Sequence, residues 1–541
     1  MGIGNLVKKP LSANATENDQ VHISKKKYDL HSRNSERRIV ILGFGSVGRC
    51  CLPLIRELLV DDYAPRSITI LDRVMPLATV VAKLKAANIN FEQKCIKKDN
   101  YEEILGTYLN AGDLLVDLII NVSTAAIVKW CQENQVLYVN TTADIWFSQE
   151  DEDQEDYGAH PFNQFEFHET VVEIQNQFRM QNGTKAPTAI VEHGANPGLV
   201  SHFVKRGLQD MAHHVLENCM ISDVIRRQNI TDALNRKDHA QLAYLLGVKA
   251  IHISERDSQA TNVPRRIHES VNTWSVEGLL DEAFCFAQFA WGNHEQKIPE
   301  GAILNGDPIQ KWPPQRISIP KRSLGVLVRS WVPSGPISGM LIPHPEPFSM
   351  ANYLTVRDPS DELIYQPSVY FVYLPCDSAI CSLHEWRMQG YPNITSERVL
   401  SDDIVLGADE LGVLILGGHD IPAWWTGSVL DIEETRRLVK GHSATTLQVA
   451  ISVVVGIIYS FEHPEEGIRF PEEINSEEIL TRAIPFLGTW VSKPVDWPTK
   501  STFQEDASGK DRIETNDEGK DQDSKWQFET FLVHNDYRHL V

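Results

Sequence analysis

The sequence predicts an α/β protein. The expected fold is a Rossmann-type, doubly wound parallel sheet with an inserted α+β substrate domain and C-terminal helices that pack back on the first domain. Three observations support this. Strand-like and helix-like segments alternate from residue 38 to about 140. From about 215 to 425 the pattern changes to strands such as SVYFVYL at 368–374, which are typical of an antiparallel sheet. Helical patterns then return at 431–440 and 443–461.

The elements of the first domain are read from its apolar segments. In order, these predict a strand RIVIL, a helix SVGRCCLPLIRELL, a strand SITILD, a helix LATVVAKLKAA, a short strand FEQKCI, a helix YEEILGTYL, a strand LLVDLIINV, a helix TAAIVKWCQEN and a strand VLYVNTT. An acidic run at 148–158 predicts an exposed insertion, and a helix is expected from about 164 to 182. TAIVEHG predicts a further strand, followed by a helix in NPGLVSHFVKRGLQDMA.

A chain of 541 residues is too long for one core, so several domains are expected. The composition and element pattern divide it into a flexible extension (1–37), a dinucleotide-binding domain (38–165), a substrate and dimerisation domain (166–425), a helical return segment (426–498), and a polar insertion with a short apolar motif (499–541).

The charge balance limits the classes of partner. The 51 basic and 73 acidic residues give a formal charge of −22, which argues against a nucleic-acid surface and suits cationic ligands. Simple solubility explains the same charge. The eight cysteines form no CxxC pair or metal set, which favours reduced thiols in the cytoplasm and no metal site. The apolar run at 449–461 is too short to span a bilayer comfortably and predicts a buried helix, so no membrane association is expected.

The first predicted strand and helix are joined by a glycine-rich loop. Gly43 permits a tight turn, Gly45 lets the backbone approach a pyrophosphate, and Gly48 permits close helix–strand packing. The phosphates are expected at the helix N-terminus, beside Ser46 and Val47. Asp72, which ends the next strand, can accept hydrogen bonds from a ribose and favours NAD over NADP. A Rossmann domain that has lost its ligand is the alternative.

The loops that follow two later strands border the same crevice, because the carboxyl ends of parallel strands lie on one edge. Four residues there are predicted to contact the cofactor: Asn121, Ser123, Thr124 and Thr141. Asp144 lies beside them in NTTADIW; by position alone, a surface acid is an equally good interpretation.

Trp274 lies in the stretch NTWSVEG, among small, polar and acidic residues. An indole there either fills a core or offers a face to a cation. The choice depends on whether the chain handles cations at all.

Several separated motifs carry a resemblance to a known family. HGANPGLVSHFVK at 193–205, IHISERDSQ and VNTWSVEG, together with GFGSVGRCCLPLI, LIPHPEPFSMANYLTV, DELGVLILGGHD and LDIEETRRL, resemble bacterial-type homospermidine synthases of the saccharopine dehydrogenase-like group. The resemblance runs from about 38 to 498. It implies a cytoplasmic, homodimeric enzyme that uses NAD as a recycled hydride carrier. Such an enzyme couples two putrescines, or spermidine and putrescine, into homospermidine and releases ammonia or diaminopropane.

The resemblance also implies roles for individual residues. Asn196, with Pro197, is expected to position the nicotinamide and the substrate. Glu255 and Glu282 would hold ammonium groups and move protons, and His344 would carry a further proton. On this interpretation Trp274 stabilises iminium cations, while Glu277 and Asp144 bind the substrate. Asp144 stands where the family pattern has glutamate, which bears on the choice of amine.

Two other functions fit parts of the sequence. A saccharopine- or carboxyspermidine-type dehydrogenase would condense an amine with a carbonyl acid and would need arginines for the substrate carboxylate, whereas the matched motifs offer acids and an indole. A non-catalytic NAD-binding sensor would bind the dinucleotide without turnover.

Overall fold

Two β-sheets form the framework of the protein. The computed structural model describes residues 37–146, 164–182, 185–305, 316–391, 394–418, 421–498 and 526–533. The N-terminal extension up to residue 36, the acidic run at 148–158 and the polar insertion at 499–524 therefore lie outside the described residues.

The first sheet has seven parallel strands in the order β22-β6-β5-β4-β1-β2-β3. These strands are β1 (Arg38–Leu42), β2 (Ser67–Asp72), β3 (Ile89–Gln93), β4 (Leu114–Asp117), β5 (Leu137–Asn140), β6 (Ala189–Ile190) and β22 (Ile468–Arg469). The order reverses at β1, which lies between β2 and β4 and so creates a crevice beyond the carboxyl ends of the strands. The predicted Rossmann-type sheet is confirmed.

Two details of the first sheet differ from the sequence prediction. Strand β4 ends at Asp117 instead of running to Val122. Leu118 N still donates to Leu42 O of β1, and the positive φ of 64° at Asn121 then turns the chain out of the sheet. The sheet also extends beyond the predicted interval 38–165. Ala189 pairs with Tyr138 of β5, and β22 adds to the outer edge of β6.

The second sheet has ten strands in a mixed arrangement. Its strands are β7 (Val248–Asp257), β10 (Phe286–Ala290), β11 (Ile303–Asn305), β12 (Arg316–Arg322), β13 (Leu327–Val332), β14 (Gly335–Ile342), β17 (Ser368–Leu374), β20 (Ala408–Gly417), β21 (Ala423–Asp431) and β23 (Thr489–Val495). Three two-stranded ladders pair β8 (Ala260–Thr261) with β19 (Ile404–Leu406), β9 (Ser270–Asn272) with β18 (Glu397–Val399), and β15 (Val356–Arg357) with β16 (Leu363–Tyr365). The expected antiparallel pattern holds except at the centre, where β7 and β17 are parallel because the chain crosses over between them.

Helices cover both sheets. They are α1 (Ser46–Leu58), α2 (Ala78–Ala86), α3 (Tyr101–Tyr108), α4 (Thr124–Glu133), α5 (Gln164–Asn182), α6 (Leu199–Glu217), α7 (Val224–Arg236), α8 (His239–Leu246), α9 (Val276–Phe284), α10 (Glu346–Tyr353), α11 (Asp377–Met388), α12 (Ile432–Leu438), α13 (Ala444–Glu462), α14 (Ser476–Ala483) and α15 (Phe528–Phe531).

Helix α13 returns from the second sheet to the first. Ser443 caps its N-terminus by accepting a hydrogen bond from Thr446 N, and Cys51 of α1 lies against Ala450. The helix is long and apolar enough to cross a bilayer, but 94% of its apolar window is buried inside the protein. It is a core helix, as the sequence predicts.

The apolar motif at 526–533 packs on the second sheet. The rings of Phe528 and Phe289 stack with centroids 4.2 Å apart, and Val533 N donates to Leu327 O at 2.8 Å. Phe528 and Phe531 are fully buried, so this motif completes the core on that face of the sheet.

Candidate active site

The glycine loop lies at the crevice of the first sheet. Gly43 has a φ of 94°, and a Cβ there would lie 2.9 Å from Leu118 O. A Cβ on Gly48 would lie 2.5 Å from Gly43 O, so both positions require glycine. A Cβ on Gly45 would meet nothing within 4 Å, which leaves open space in front of the N-terminus of α1. The loop therefore has room for a pyrophosphate beside free helical N–H groups.

Asp72 is held rigidly at the end of β2. Its Oδ2 accepts from Phe44 N at 2.6 Å and its Oδ1 accepts from Val74 N at 2.7 Å. It lines a cleft of about 390 Å³ together with the glycine loop, including Ser46 and Val47, and with Asn121. A carboxylate fixed there can accept from ribose hydroxyls and would repel a 2′-phosphate. The residues fit NAD.

The loops after β4 and β5 are tied to each other. Asn121 N donates to Asp144 Oδ2 at 2.5 Å, and Asp144 N donates to Thr124 Oγ1 at 3.0 Å. Ser123 caps α4 by accepting from Ala126 N. Asn121 lines the cleft, whereas the hydroxyl groups of Ser123 and Thr124 accept hydrogen bonds within these two loops.

Trp274 lines the same cleft as the glycine loop. It lies two residues before α9, whose N-terminus is capped by Ser275. The ring packs over the first turn of this helix so closely that a Cβ on Gly278 would lie 2.6 Å from it. Its Nε1 donates to the hydroxyl of Tyr373 at 3.4 Å. Glu277, in the first turn of α9, also lines the cleft.

His344 lies between two carboxylates. Its Nε2 is 2.9 Å from Glu282 Oε1 and its Nδ1 is 3.1 Å from both oxygens of Glu346. Asn196 Oδ1 lies 3.3 Å from the same Nδ1. Burial lowers the pKa of His344, but the charges of Glu346 and Glu282 outweigh it and hold the pKa well above the ordinary value. The raised pKa favours the protonated imidazole, whose Nε2 lies within hydrogen-bond distance of Glu282.

Three acids are buried together on the second sheet. Burial, with the charges of Asp257 and Glu282, raises the pKa of Glu255 to about 8. Burial also raises the pKa of Asp257 to about 6, although Thr273 and Gln259 donate hydrogen bonds to it. Asp409 faces Asp257 across the β7–β20 pairing and has a strongly raised pKa from burial and from these acids. Such a group of acids is ready to bind a cation, which would relieve their repulsion.

A second group of acids lies nearer the cleft. Burial raises the pKa of Asp144 to about 6, and the charge of Glu277 contributes to the rise. Burial, then Glu277 and Asp144, raise the pKa of Asp281 to about 7. The Asp281 side chain reaches solvent, but protein atoms surround its carboxylate on most sides, and this partial desolvation raises the pKa. Glu277 of this outer group lines the dinucleotide cleft, and Glu282 follows Asp281 on α9.

Asn196, Glu255, Glu282 and His344 form the inner pocket, because His344 contacts Asn196 and Glu282, and Asn196 hydrogen-bonds to Glu255. Thr141 and Pro197 lie outside this set, beside Gly194. A Cβ on Gly194 would lie 3.4 Å from the Cβ of Thr141, and Pro197 O accepts from Gly194 N at 2.7 Å. Both residues thus shape the turn that presents Asn196.

Sequence reasoning missed several acids of this site. Asp257 could have been found, because it lies two residues after Glu255 and so shares its face of β7. Glu346 lies two residues after His344 in the same motif, and Asp281 adjoins Glu282. Asp409 left no local signal, since only the β7–β20 pairing brings it to Asp257.

Comparisons with known proteins cover nearly the whole chain. Residues 39–177 match the family model for the saccharopine dehydrogenase NADP binding domain, and residues 194–489 match that for the saccharopine dehydrogenase C-terminal domain. Homospermidine synthase from Blastochloris viridis is 34% identical over 504 residues, which cover 92% of this chain and 97% of the relative. The corresponding enzyme from Mesorhizobium japonicum is 30% identical over 504 residues, covering 92% and 96%.

A solved structure resembles the fold over most of the chain. The homospermidine synthase of Legionella pneumophila, crystallised in complex with NAD, superimposes with a TM-score of 0.75 at 34% sequence identity. The match covers 92% of this chain and 98% of that one.

Proposed function

The chain belongs to the homospermidine synthase family, and we propose that it couples two putrescine molecules into homospermidine and releases ammonia. Spermidine in place of the first putrescine would release diaminopropane. The cofactor is NAD. The observation that carries the proposal is the position of Trp274, which lines the dinucleotide cleft and contacts Tyr373, the β17 residue that pairs with Glu255.

Putrescine carries two positive charges near neutral pH, and its ammonium groups need separate partners. The inner acids Glu255, Asp257 and Asp409 form one site for a distal ammonium, and the outer acids Asp144, Glu277 and Asp281 form another. Charge-assisted hydrogen bonds to ammonium groups are stronger than neutral ones. Burial raises the pKa values of five of the acids in these two groups, and a bound cation favours their ionised forms, so the pocket selects amines over carboxylates.

A protonated amine cannot donate a hydride, because the nitrogen lone pair must stabilise the iminium ion that forms. Glu282 takes this proton, and His344, 2.9 Å away, balances the charge as the proton moves. When bound, NAD accepts a hydride from the amine carbon and returns it to the coupled imine. Asn196 is placed beside His344 to orient the reacting groups.

Trp274 stabilises the iminium intermediates. An indole face attracts a cation by roughly 0.5–2 kcal/mol, depending on how fully the cation is desolvated. The neutral amine gains much less, so the attraction grows as positive charge develops on the carbon skeleton. Trp274 therefore assists the chemical step as well as binding.

The test is incubation of the purified protein with putrescine and NAD⁺, followed by mass spectrometry for homospermidine and an assay for ammonia. We expect equal amounts of both products and no net NADH. A reductive condensation enzyme would instead consume reduced cofactor with a carbonyl acid, and a sensor would bind NAD without forming product. Either result would contradict the proposal.

The homodimer and the cytoplasmic location implied by the family resemblance stay predictions. Light scattering on the purified full-length protein tests the first, and fractionation of the cells that make it tests the second.

A further inference from the structure

One contact of the inner pocket joins residues from two separate helix starts. Asn196 lies in the turn that leads into α6, and His344 lies two residues before α10. Asn196 Oδ1 is 3.3 Å from His344 Nδ1, although 148 positions separate the two residues in the chain. The pocket therefore keeps its shape only if the starts of α6 and α10 stay in place relative to each other.

A single carboxylate oxygen bridges these two helix starts. Glu472 Oε1 accepts a hydrogen bond from Ser201 Oγ at 2.7 Å and a second one from Ser349 Oγ at 3.0 Å. Ser201 is the third residue of α6, and Ser349 is the fourth residue of α10. Ser349 Oγ also lies 3.2 Å from Glu346 O, but the carboxylate is closer and, being charged, is the stronger acceptor. The bridge thus joins the helix that follows Asn196 to the helix that follows His344.

The bridge is shielded from solvent. Ser201 is 1% exposed and Glu472 is 5% exposed. The second oxygen of this carboxylate, Oε2, is buried and has no hydrogen-bond partner among the residues that the structure describes. Burying a carboxylate with one oxygen unsatisfied costs more free energy than burying an apolar side chain of similar size. Stability alone therefore does not account for Glu472.

The segment that carries Glu472 is anchored to α6. It directly follows β22, an edge strand of the first sheet, and forms a single 3₁₀ turn. Lys205 of α6 is buried against this turn. Its Nζ donates to the backbone oxygens of Pro471, Glu472 and Ile474 at 3.1, 3.2 and 2.7 Å. These three bonds fix the backbone from which the Glu472 side chain reaches both serines.

We propose that Glu472 is a positioning residue for the coupling reaction, because its Oε1 joins α6 to α10 and so keeps Asn196 against His344. This role rests on the proposed function. Glu472 acts through the two serines and is not itself catalytic. Hydride transfer depends steeply on geometry, and a displacement of about 1 Å can lower the rate by about 10²-fold. Since the segment follows an edge strand of the first sheet, the bridge also ties the dinucleotide-binding domain to the amine pocket.

The bridge is tested with Ser201→Ala, Ser349→Ala and the double variant, which remove only hydroxyl groups. The two hydrogen bonds act in series, so breaking either one disconnects the helices and breaking the second adds little. Turnover with putrescine should fall about three- to thirtyfold in each single variant, and the double variant should match the slower of the two. Normal turnover in the single variants would overturn the proposal. Losses that multiply in the double variant would also overturn it, because they mark two independent local roles.

A second measurement separates positioning from folding. Putrescine deuterated next to its nitrogens gives an isotope effect on turnover, and this effect should rise in the serine variants because slower hydride transfer becomes more limiting. NAD affinity should stay unchanged. A smaller folded fraction would lower turnover and leave the isotope effect as it is in the unsubstituted protein, and that result would contradict a positioning role.

Two further variants serve as controls. Glu472→Gln keeps an oxygen that can accept from both serines, so it should keep most of the turnover. A loss as large as that of Ser201→Ala would assign the role to the charge of Glu472 and would overturn the bridge. Ser460→Ala is the matched control, because Ser460 of α13 is fully buried and donates to Ile457 O at 2.8 Å. We expect unchanged turnover and an unchanged isotope effect there. If the unsubstituted protein made no homospermidine, the proposed function would fail, and the positioning role with it.

Discussion

The dinucleotide loop and the amine pocket share one cleft but are built in opposite ways. The loop uses backbone: Gly43, Gly45 and Gly48 supply turns and space, and no side chain of its first helical turn is acidic. The pocket uses buried carboxylates from two paired strands, Glu255 and Asp257 of β7 and Asp409 of β20. An anion is met by unsatisfied N–H groups, and a cation is met by acids with raised pKa values. A substitution in the dinucleotide loop should therefore weaken NAD binding, and a substitution in the amine pocket should lower turnover, each without the other effect.

The largest effect is expected from Glu282→Gln. The amide cannot take the proton from the reacting nitrogen, so turnover with putrescine should fall by about 10²- to 10⁴-fold. NAD affinity, measured by fluorescence titration, should stay unchanged because the dinucleotide loop is intact. Glu433→Gln, at the exposed start of α12, is the control and should keep full turnover. A fully active Glu282→Gln protein would remove this residue from the mechanism.

Gly45→Val should weaken NAD binding at the dinucleotide loop. The new side chain enters the open space in front of α1, so the fold tolerates it while the pyrophosphate loses its room. NAD affinity should fall at least about tenfold, a loss of roughly 1.4 kcal/mol. Turnover at saturating NAD should fall much less. Unchanged NAD binding would show that the cofactor does not lie against this loop.

Two substitutions of Trp274 refine the comparison, because this residue lies between the dinucleotide loop and the amine pocket. Removing the indole with Trp274→Leu should lower kcat/KM for putrescine by about 2- to 30-fold, which corresponds to roughly 0.5–2 kcal/mol of cation–π attraction. The kcat/KM of Trp274→Phe should lie between those of the unsubstituted protein and Trp274→Leu. NAD affinity should change less than kcat/KM does. If Leu and Phe behaved alike, Trp274 would be a packing residue and not a cation partner.

The smallest effect is a pH dependence of amine binding. The pKa values of Asp144 and Asp281 are raised to about 6 and about 7, so both acids are ionised at pH 8, whereas at pH 6 Asp281 is largely protonated and Asp144 is about half protonated. Because a dication binds the ionised forms, KM for putrescine should rise several-fold as the pH falls from 8 to 6. Asp281→Asn should flatten this dependence. A KM that stayed constant in this range would place the ammonium elsewhere.

The same contrast explains what sequence could predict. The dinucleotide-binding loop could be predicted because its three glycines lie in one short stretch between a predicted strand and a predicted helix, and Asp72 follows at the end of the next strand. The inner pocket was identified through motifs whose order resembles a family, which gave Glu255, Glu282 and His344. Asp257 follows from the alternation of side chains along β7. The pairing of Asp409 with Asp257, and of Glu472 with its two serines, depends on tertiary contacts that leave no periodic signal.

Trp274 is a residue whose role could not be predicted from its sequence context alone. Its sequence context allowed core packing and cation binding equally, and only the cleft that it shares with the dinucleotide loop separates them. Asp144 is similar. A surface acid and a crevice acid look alike in sequence, and the hydrogen bond from Asn121 N places this one at the crevice.

The most direct test follows a labelled hydride. Putrescine deuterated at the carbons next to both nitrogens is incubated with the protein and NAD⁺ in the presence of excess unlabelled NADH. If the hydride is borrowed and returned within one closed pocket, homospermidine retains every deuterium by mass spectrometry. Product that has lost one deuterium per molecule would mean that the cofactor leaves between the two transfers and would contradict the account.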